Sequence, residues 1–236
     1  MKRALTIDTS TSRTLVGLVE GEQIIWSEFI EGATSHGGAL GELIGKAEGL
    51  SEVDHVIVGM GPGPFTGLRV GIAFAQGFAK ARNIPLIGVV SLDAIAASGE
   101  LSGETVISID ARRKERYWAR YDQHGVRVSE LSIAPANQTP HGITDRFPSP
   151  IGLKRAAGNS RSIRKEPLYL RKPDAALPQL PGIRLREILP FDLGEILSIE
   201  RELFPDPWSI AQFKEELSFM PRSRHYVVLE LSLIHI

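Results

Sequence analysis

The sequence contains no cysteine, which excludes disulfides, thiolate catalysis and zinc–thiolate sites. It has no apolar run long enough to span a bilayer. It has no excess of either charge. Lys and Arg total 27 against 28 Asp and Glu, a net charge of −1, so no global field draws the chain to nucleic acid or membrane. The N-terminus, MKRALTIDTS, turns polar too early for a secretory signal. These absences point to a cytoplasmic protein. What is present is ordinary for a globular chain of 236 residues: 42% hydrophobic and 23% charged.

The chain is organised around residues 53–82. Val56-Ile57-Val58 reads as a buried strand, short, β-branched and bounded by glycine. A Gly-Pro-rich loop, residues 59–67, leads without a break into a helix, and Thr66 is placed to cap it. The loop lacks the Lys-Ser/Thr pair of a P-loop and the third glycine of a dinucleotide fingerprint, so a tight strand-to-helix turn is the better reading. Along the helix, Gly67, Gly71, Ala75 and Ala79 recur every fourth residue and make one face nearly flat. Leu68, Val70, Ile72, Phe74 and Phe78 cover most of the rest. A helix apolar nearly all round wants burial on more than one side. Two readings stand: a central helix in its own core, or a helix with one face on the sheet and another on a partner.

Three antiparallel strands open the fold at about 2–8, 14–20 and 23–30. The turn Asp8-Thr9-Ser10-Thr11 between the first two either orients hydroxyls and N–H groups toward a phosphate or satisfies its own backbone as an Asx/Ser turn, the favoured reading. His36 stands near the start of a helix running to about Gly49, as a capping or packing residue with no ligand spacing beside it. A strand at 85–90 leads to Ser91, read as the cap of a helix over 92–98. The strand 106–109 ends in Asp110, a second turn carboxylate that would share a site with Asp8 only if the two met. A basic turn, Ala111 to Lys114, precedes a strand at 115–121. Residues 151–172 carry seven basic residues, either a nucleic-acid patch or a solvated face.

Prolines at 173, 178 and 181 mark a semi-rigid linker over 173–182. The pattern then restarts with a strand at 183–188, a helix capped by Asp192, an aromatic turn at 204–209, a helix at 210–219 and a strand near 225–230. One strand, two helices and one strand do not fill a core. Leu231 to Ile236 is read as a truncation or frameshift remnant.

Ile7-Asp8-Thr9-Ser10-Thr11, His36, Gly61-Pro62-Gly63-Pro64-Phe65-Thr66-Gly67-Leu68-Arg69-Val70-Gly71, Ile109-Asp110-Ala111-Arg112 and Pro167 to Arg171 resemble the TsaB (YeaZ) family over roughly residues 1–175. Residues 183–230 resemble the start of the RimI-like ribosomal-protein-alanine N-acetyltransferases (GNAT fold), through Ile183 to Arg186, Asp192-Leu193 and Phe204 to Ser209. The first resemblance implies an α/β fold of the actin/Hsp70/sugar-kinase (ribonuclease H-like) type, with lobes at about 1–102 and 103–172. It also implies a non-catalytic scaffold in making N6-threonylcarbamoyladenosine in tRNA, with tRNA met indirectly. The implied partners are a TsaD-type threonylcarbamoyl transferase, a TsaE-type ATPase or a second copy of the chain. No catalytic residue and no metal is implied. Gly67, Leu68, Val70, Gly71, Phe74, Ala75 and Phe78 would form the partner interface, and Gly71→Arg is expected to abolish pairing while sparing the fold. Asp8, Thr9, Ser10, Thr11 and Asp110 would be vestigial phosphate-binding turns, and His36, Gly61, Pro62, Gly63, Phe65 and Thr66 family-motif positions. No cofactor is expected beyond ATP or ADP at a partner interface, and acetyl-CoA only in a complete acetyltransferase. The competing readings are a sugar-kinase-like phosphotransferase using Asp8 and Asp110, an acetyltransferase, and a nucleic-acid-binding module on the 151–172 patch.

Overall fold

The computed structural model describes residues 2–32, 36–144, 146–171, 183–218 and 227–231. The chain divides into two units, Met1–Lys172 and Pro173–Ile236.

The first unit runs β1 (Arg3–Asp8), β2 (Arg13–Glu20), β3 (Gln23–Glu31), α1 (His36–Lys46), β4 (Val53–Gly59), α2 (Phe65–Arg82), β5 (Leu86–Val89), α3 (Ser91–Ala96), β6 (Thr105–Asp110), β7 (Glu115–Tyr121), β8 (Ser132–Pro135), β9 (Ile143–Thr144), α4 (Pro150–Ala157) and β10 (Ile163–Arg164). One sheet has the order β10-β5-β4-β1-β2-β3, with β1, β4 and β5 parallel and the β1-β2-β3 meander antiparallel. A second sheet has the order β8-β7-β6-β9.

Side chains on a strand alternate between faces, and this sheet uses both. Leu5, Ile7, Val16, Leu18, Val56 and Val58 pack with Leu40, Leu43, Leu68, Ile72, Ala75 and Ala79 of α1 and α2. Ala4, Leu15 and Ile57 turn to the other face and meet Leu153 and Ala156 of α4. A third cluster joins Leu92 and Ile95 of α3 to Ile107, Ile109, Tyr117, Ala119 and Tyr121 of the second sheet.

The expected lobe boundary near 102/103 divides the chain but not the fold. α4 lies on the first sheet and β10 pairs with β5, so the segment 150–164 returns to the first sheet after the second is complete. α4 was not foreseen, although Ser149-Pro150 is a start signal. The Ser149 hydroxyl accepts from Gly152 N and Pro150 opens the first turn. Two expected caps are also corrected. Pro64, not Thr66, precedes α2 and makes no side-chain cap. Ser91 is the first residue of α3, and its hydroxyl is used elsewhere.

The second unit pairs β11 (Ile183–Glu187) with β12 (Val227–Leu231) antiparallel and carries α5 (Leu193–Leu203) and α6 (Ile210–Leu217). Asp192 does not cap α5 through its side chain. Its oxygens instead take both Arg186 Nη atoms at 2.7 Å and Leu189 N at 2.7 Å, and hydrogen bonding to Arg186 first of all lowers its pKa to about 2. Leu193 and Leu197 are buried, while Phe191, Ile199, Leu203 and Phe204 are exposed. The expected linker, 173–182, and the tail after Leu231 lie outside the described residues.

Gly17 marks the closest approach of α4 to the sheet. A Cβ there would stand 2.5 Å from Pro150 Cγ. Gly17→Val should cost about 1–3 kcal/mol through overpacking. Thermal unfolding of the two chains checks this, and equal melting temperatures would show that α4 yields freely.

Candidate functional site

The carboxylate of Asp8 sits at the end of β1, completely buried. Oδ1 accepts from Ser10 N at 2.9 Å and Ser10 Oγ at 2.7 Å, and Oδ2 accepts from Ser91 Oγ at 2.7 Å. Burial raises its pKa above the ordinary 3.8, and the three hydrogen bonds oppose that shift. Ser91 extends the network to the Gly-Pro loop, because Gly61 N donates to its hydroxyl at 3.3 Å and Ser91 N donates to Gly61 O at 2.7 Å. A side chain at Gly59 would collide with Asp8.

The other hydroxyls of the turn are also spent internally. Thr9 Oγ1 donates to Gly67 O at 2.7 Å, and Thr11 Oγ1 accepts from Arg13 N at 3.2 Å. The self-satisfied turn is therefore what forms. Asp110 is exposed and accepts from Arg112 N at 3.0 Å, closing its own turn. Both oxygens of Asp8 are thus engaged within the fold, while Asp110 closes a separate turn.

The glycines of the central loop and helix exist for this turn. A Cβ at Gly63 would collide with Ser10 and one at Gly71 with Thr9, and one at Gly67 would stand 2.6 Å from Thr9 O and 3.1 Å from His36 Nε2. Gly61 has φ +94° and the bond to Pro62 is cis. His36 is buried at the start of α1, its Nδ1 bonded to Thr14 Oγ1 at 2.8 Å. Desolvation, then the charge of Arg112, lowers its pKa, so the ring is neutral at pH 7 and acts in packing. Among the described residues no three His, Cys, Asp or Glu gather as a metal cage.

Of the seven expected interface residues, Gly67, Leu68, Gly71 and Ala75 are buried inside the chain's own fold. The flat stripe docks on the Asp8–Thr11 turn and the β-sheet, so Gly71→Arg is expected to damage the fold. Val70, Phe74 and Phe78 are half-buried, packing in part against the same core and in part open to solvent. With Ala73 and Gly77, both exposed, they make a ridge at positions i, i+3, i+4, i+7 and i+8. Phe74 and Phe78 stack at 6.0 Å, and Phe65, 51% exposed, pairs with Tyr169 at 5.0 Å beneath Arg69. Ala73 and Gly77 escaped the sequence reading, and Tyr169 entered it only within the motif Pro167 to Arg171. The i+3/i+4 spacing from Val70 could have shown the first two.

Three of the seven basic residues of the run 151–172 form ion pairs, and Lys172 lies outside the described residues. Lys154 and Arg155 hold Glu22 and the β2–β3 hairpin, and Arg171 holds Glu115.

Residues 39–159 match the family model described as TsaD: tRNA N6-adenosine threonylcarbamoyltransferase. An uncharacterized protein of Mycobacterium leprae is 33% identical over 253 residues, covering 92% of this chain and 69% of that protein. The tRNA threonylcarbamoyladenosine biosynthesis protein TsaB of Escherichia coli is 42% identical over 90 residues, covering 36% of this chain and 39% of its own length. The structure titled YeaZ from Pseudomonas aeruginosa superposes with a TM-score of 0.58 at 25% identity, covering 72% of this chain and 100% of that one.

Asp8→Ala should lower stability by about 2–4 kcal/mol, because it orphans buried donors. Asp8→Asn keeps an acceptor toward Ser10 and offers an N–H to Ser91, so it should fold. The raised carboxyl pKa favours folding at pH below 3.8, and that advantage drains away as pH rises through the folded-state value. The stability of the Asn chain relative to the parent should therefore rise with pH over that window. Denaturant titrations at several pH values check this.

Proposed function

We infer the function from a premise that the match over residues 39–159 establishes: this chain belongs to the family described as TsaD: tRNA N6-adenosine threonylcarbamoyltransferase. Within it the chain is an accessory subunit in making N6-threonylcarbamoyladenosine in tRNA, like the TsaB proteins it resembles. The observation that carries this reading is the partly exposed ridge of α2, Val70, Ala73, Phe74, Gly77 and Phe78, lying beside the glycine stripe that anchors the same helix inside.

A TsaD-type transferase is the proposed occupant of the ridge. Burying a phenylalanine contributes about 1.5–3 kcal/mol, so Phe74 and Phe78 with the small residues between them suffice for a stable helix-on-helix contact. The same ridge would pair two copies of the chain when the transferase is absent. A TsaE-type ATPase would join the assembled pair, and ATP or ADP would sit at the partner interface. The setting is the cytoplasm. Among the described residues no helix is long and apolar enough to cross a membrane. The engagement of both Asp8 oxygens supports a supporting role over phosphotransferase chemistry in this chain.

The second unit we read as RimI-like, of the N-acetyltransferase (GNAT) type. The sequence resemblance of residues 183–230 supports this, and the Mycobacterium leprae match shows only that a relative extends past the first unit.

Size-exclusion with mass detection, on the chain mixed with a TsaD-type subunit, tests the docking. Ala73→Arg places a charge in the exposed ridge, should change stability by no more than about 0.5 kcal/mol, and should abolish the one-to-one complex. Gly71→Arg should lower the melting temperature of the chain itself. A complex that survives Ala73→Arg with unchanged affinity would remove α2 as the docking face.

A further inference from the structure

β3 closes one edge of the six-stranded sheet, and among the described residues no strand pairs with its outer side. An open edge presents unpaired N–H and C=O groups, and proteins ordinarily guard it with proline, free charge, shortness or a bulge. β3 is long, spanning the nine residues Gln23 to Glu31, and it contains no proline. Its two glutamates are neutralised from within the chain: Glu28 meets Lys46 at 3.4 Å and Glu31 meets Arg13 at 2.7 Å. Its bulge falls at Ile25, the extra residue between Ile24 opposite Val19 and Trp26 opposite Leu18. Trp26 to Glu31 therefore keep a continuous register with β2.

Apolar side chains gather at this edge. Seven large ones are exposed among the described residues of the first unit, and three of them stand on β3: Ile24 and Ile25 at 47% and Phe29 at 51%. The backbone is available as well. Gly32 N donates to Ser12 O just past the end of the strand. Alternation along an antiparallel ladder then turns the N–H and C=O groups of Ser27, Phe29 and Glu31 away from β2.

The order of the side chains identifies the occupant. Counted outward from Ser27, the second and third residues are apolar in both directions: Ile25 and Ile24 on one side, Phe29 and Ile30 on the other. We propose that β3 pairs antiparallel with β3 of a second copy of this chain, about a two-fold axis at Ser27. In that register Ile25 lies opposite Phe29 and Ile24 opposite Ile30. Glu28 faces Trp26 and Glu31 faces Gln23, so no like charges stand opposite each other. Moving the axis to Trp26 sets Ile24 against Glu28, and moving it to Glu28 sets Ile25 against Glu31. A strand from an unrelated protein would meet the same backbone without this match of side chains. The surface shares no residue with the ridge of α2, and the pairing does not depend on the proposed role in tRNA modification.

The chain has no cysteine, so one introduced thiol reports the register without background. Residues directly opposite in a hydrogen-bonded pair have Cα atoms about 5.5 Å apart, within disulfide reach. Ser27→Cys in the full chain should therefore form a covalent dimer under mild oxidation. Gln23→Cys should not, because its counterpart lies eight residues along the paired strand, about 26 Å away at about 3.3 Å per residue. Size-exclusion with mass detection gives the second readout, on chains that also carry Ala73→Arg so that α2 cannot pair. The Ala73→Arg chain should remain dimeric. Adding Ile25→Lys, which places a charge on the open edge, should weaken that dimer at least tenfold and leave the melting curve unchanged. Equal cross-linking of the two cysteine variants, a dimer that survives Ile25→Lys with unchanged affinity, or an Ala73→Arg chain that stays monomeric at its highest soluble concentration would overturn the inference. That failure would leave docking of a transferase through α2 untouched, since none of the β3 residues belongs to the ridge.

Discussion

A buried carboxylate that cannot be left unpaired dictates much of this structure. Asp8 carries a desolvation penalty large enough to raise its pKa. Its three hydrogen bonds, to Ser10 twice and Ser91 once, compensate that penalty only if the first strand, the Gly-Pro loop and the start of α3 meet at one point. Gly59 leaves the room, Gly63 lets the loop lie on Ser10, and Gly67 and Gly71 let α2 lie on Thr9. What looks in isolation like a catalytic turn is a joint between segments distant in sequence.

That joint gives α2 its two-sided character. The inner glycine stripe and the Thr9–Gly67 bond fix the helix against the sheet, leaving the ridge from Val70 to Phe78 partly open to solvent on a rigid support. A pre-positioned ridge loses little conformational freedom on docking, so more of its buried apolar area appears as affinity. The structural motif and the proposed interface are thus adjoining faces of one helix, and a substitution at the buried stripe reports something different from a substitution at the exposed Ala73 or Gly77.

Much of this was legible in the sequence. The three opening strands, the buried β4, the long α2 and the strand–helix–helix–strand order of the second unit follow from hydrophobic period and turn residues. The orientation of α2 did not follow, because small residues at every fourth position suit a close internal contact as well as a close external one. Only the position of Thr9 decides between them. α4 and β10 were obscured because their basic residues suggested a patch, whereas Lys154 and Arg155 are spoken for by Glu22, more than a hundred residues earlier in the chain. The left-handed turn at Arg112 to Lys114 was unreadable in principle, since those residue types argue against the backbone they adopt.

The central claim is that the turn at Asp8 is an internal joint and the outer face of α2 is the docking surface. Hydrogen exchange read by mass spectrometry, on the chain alone and mixed with a TsaD-type transferase, tests it most directly. The account predicts slow exchange over residues 8–12 in both samples and added protection on mixing over residues 65–82. Added protection over 8–12, with 65–82 unchanged, would contradict it.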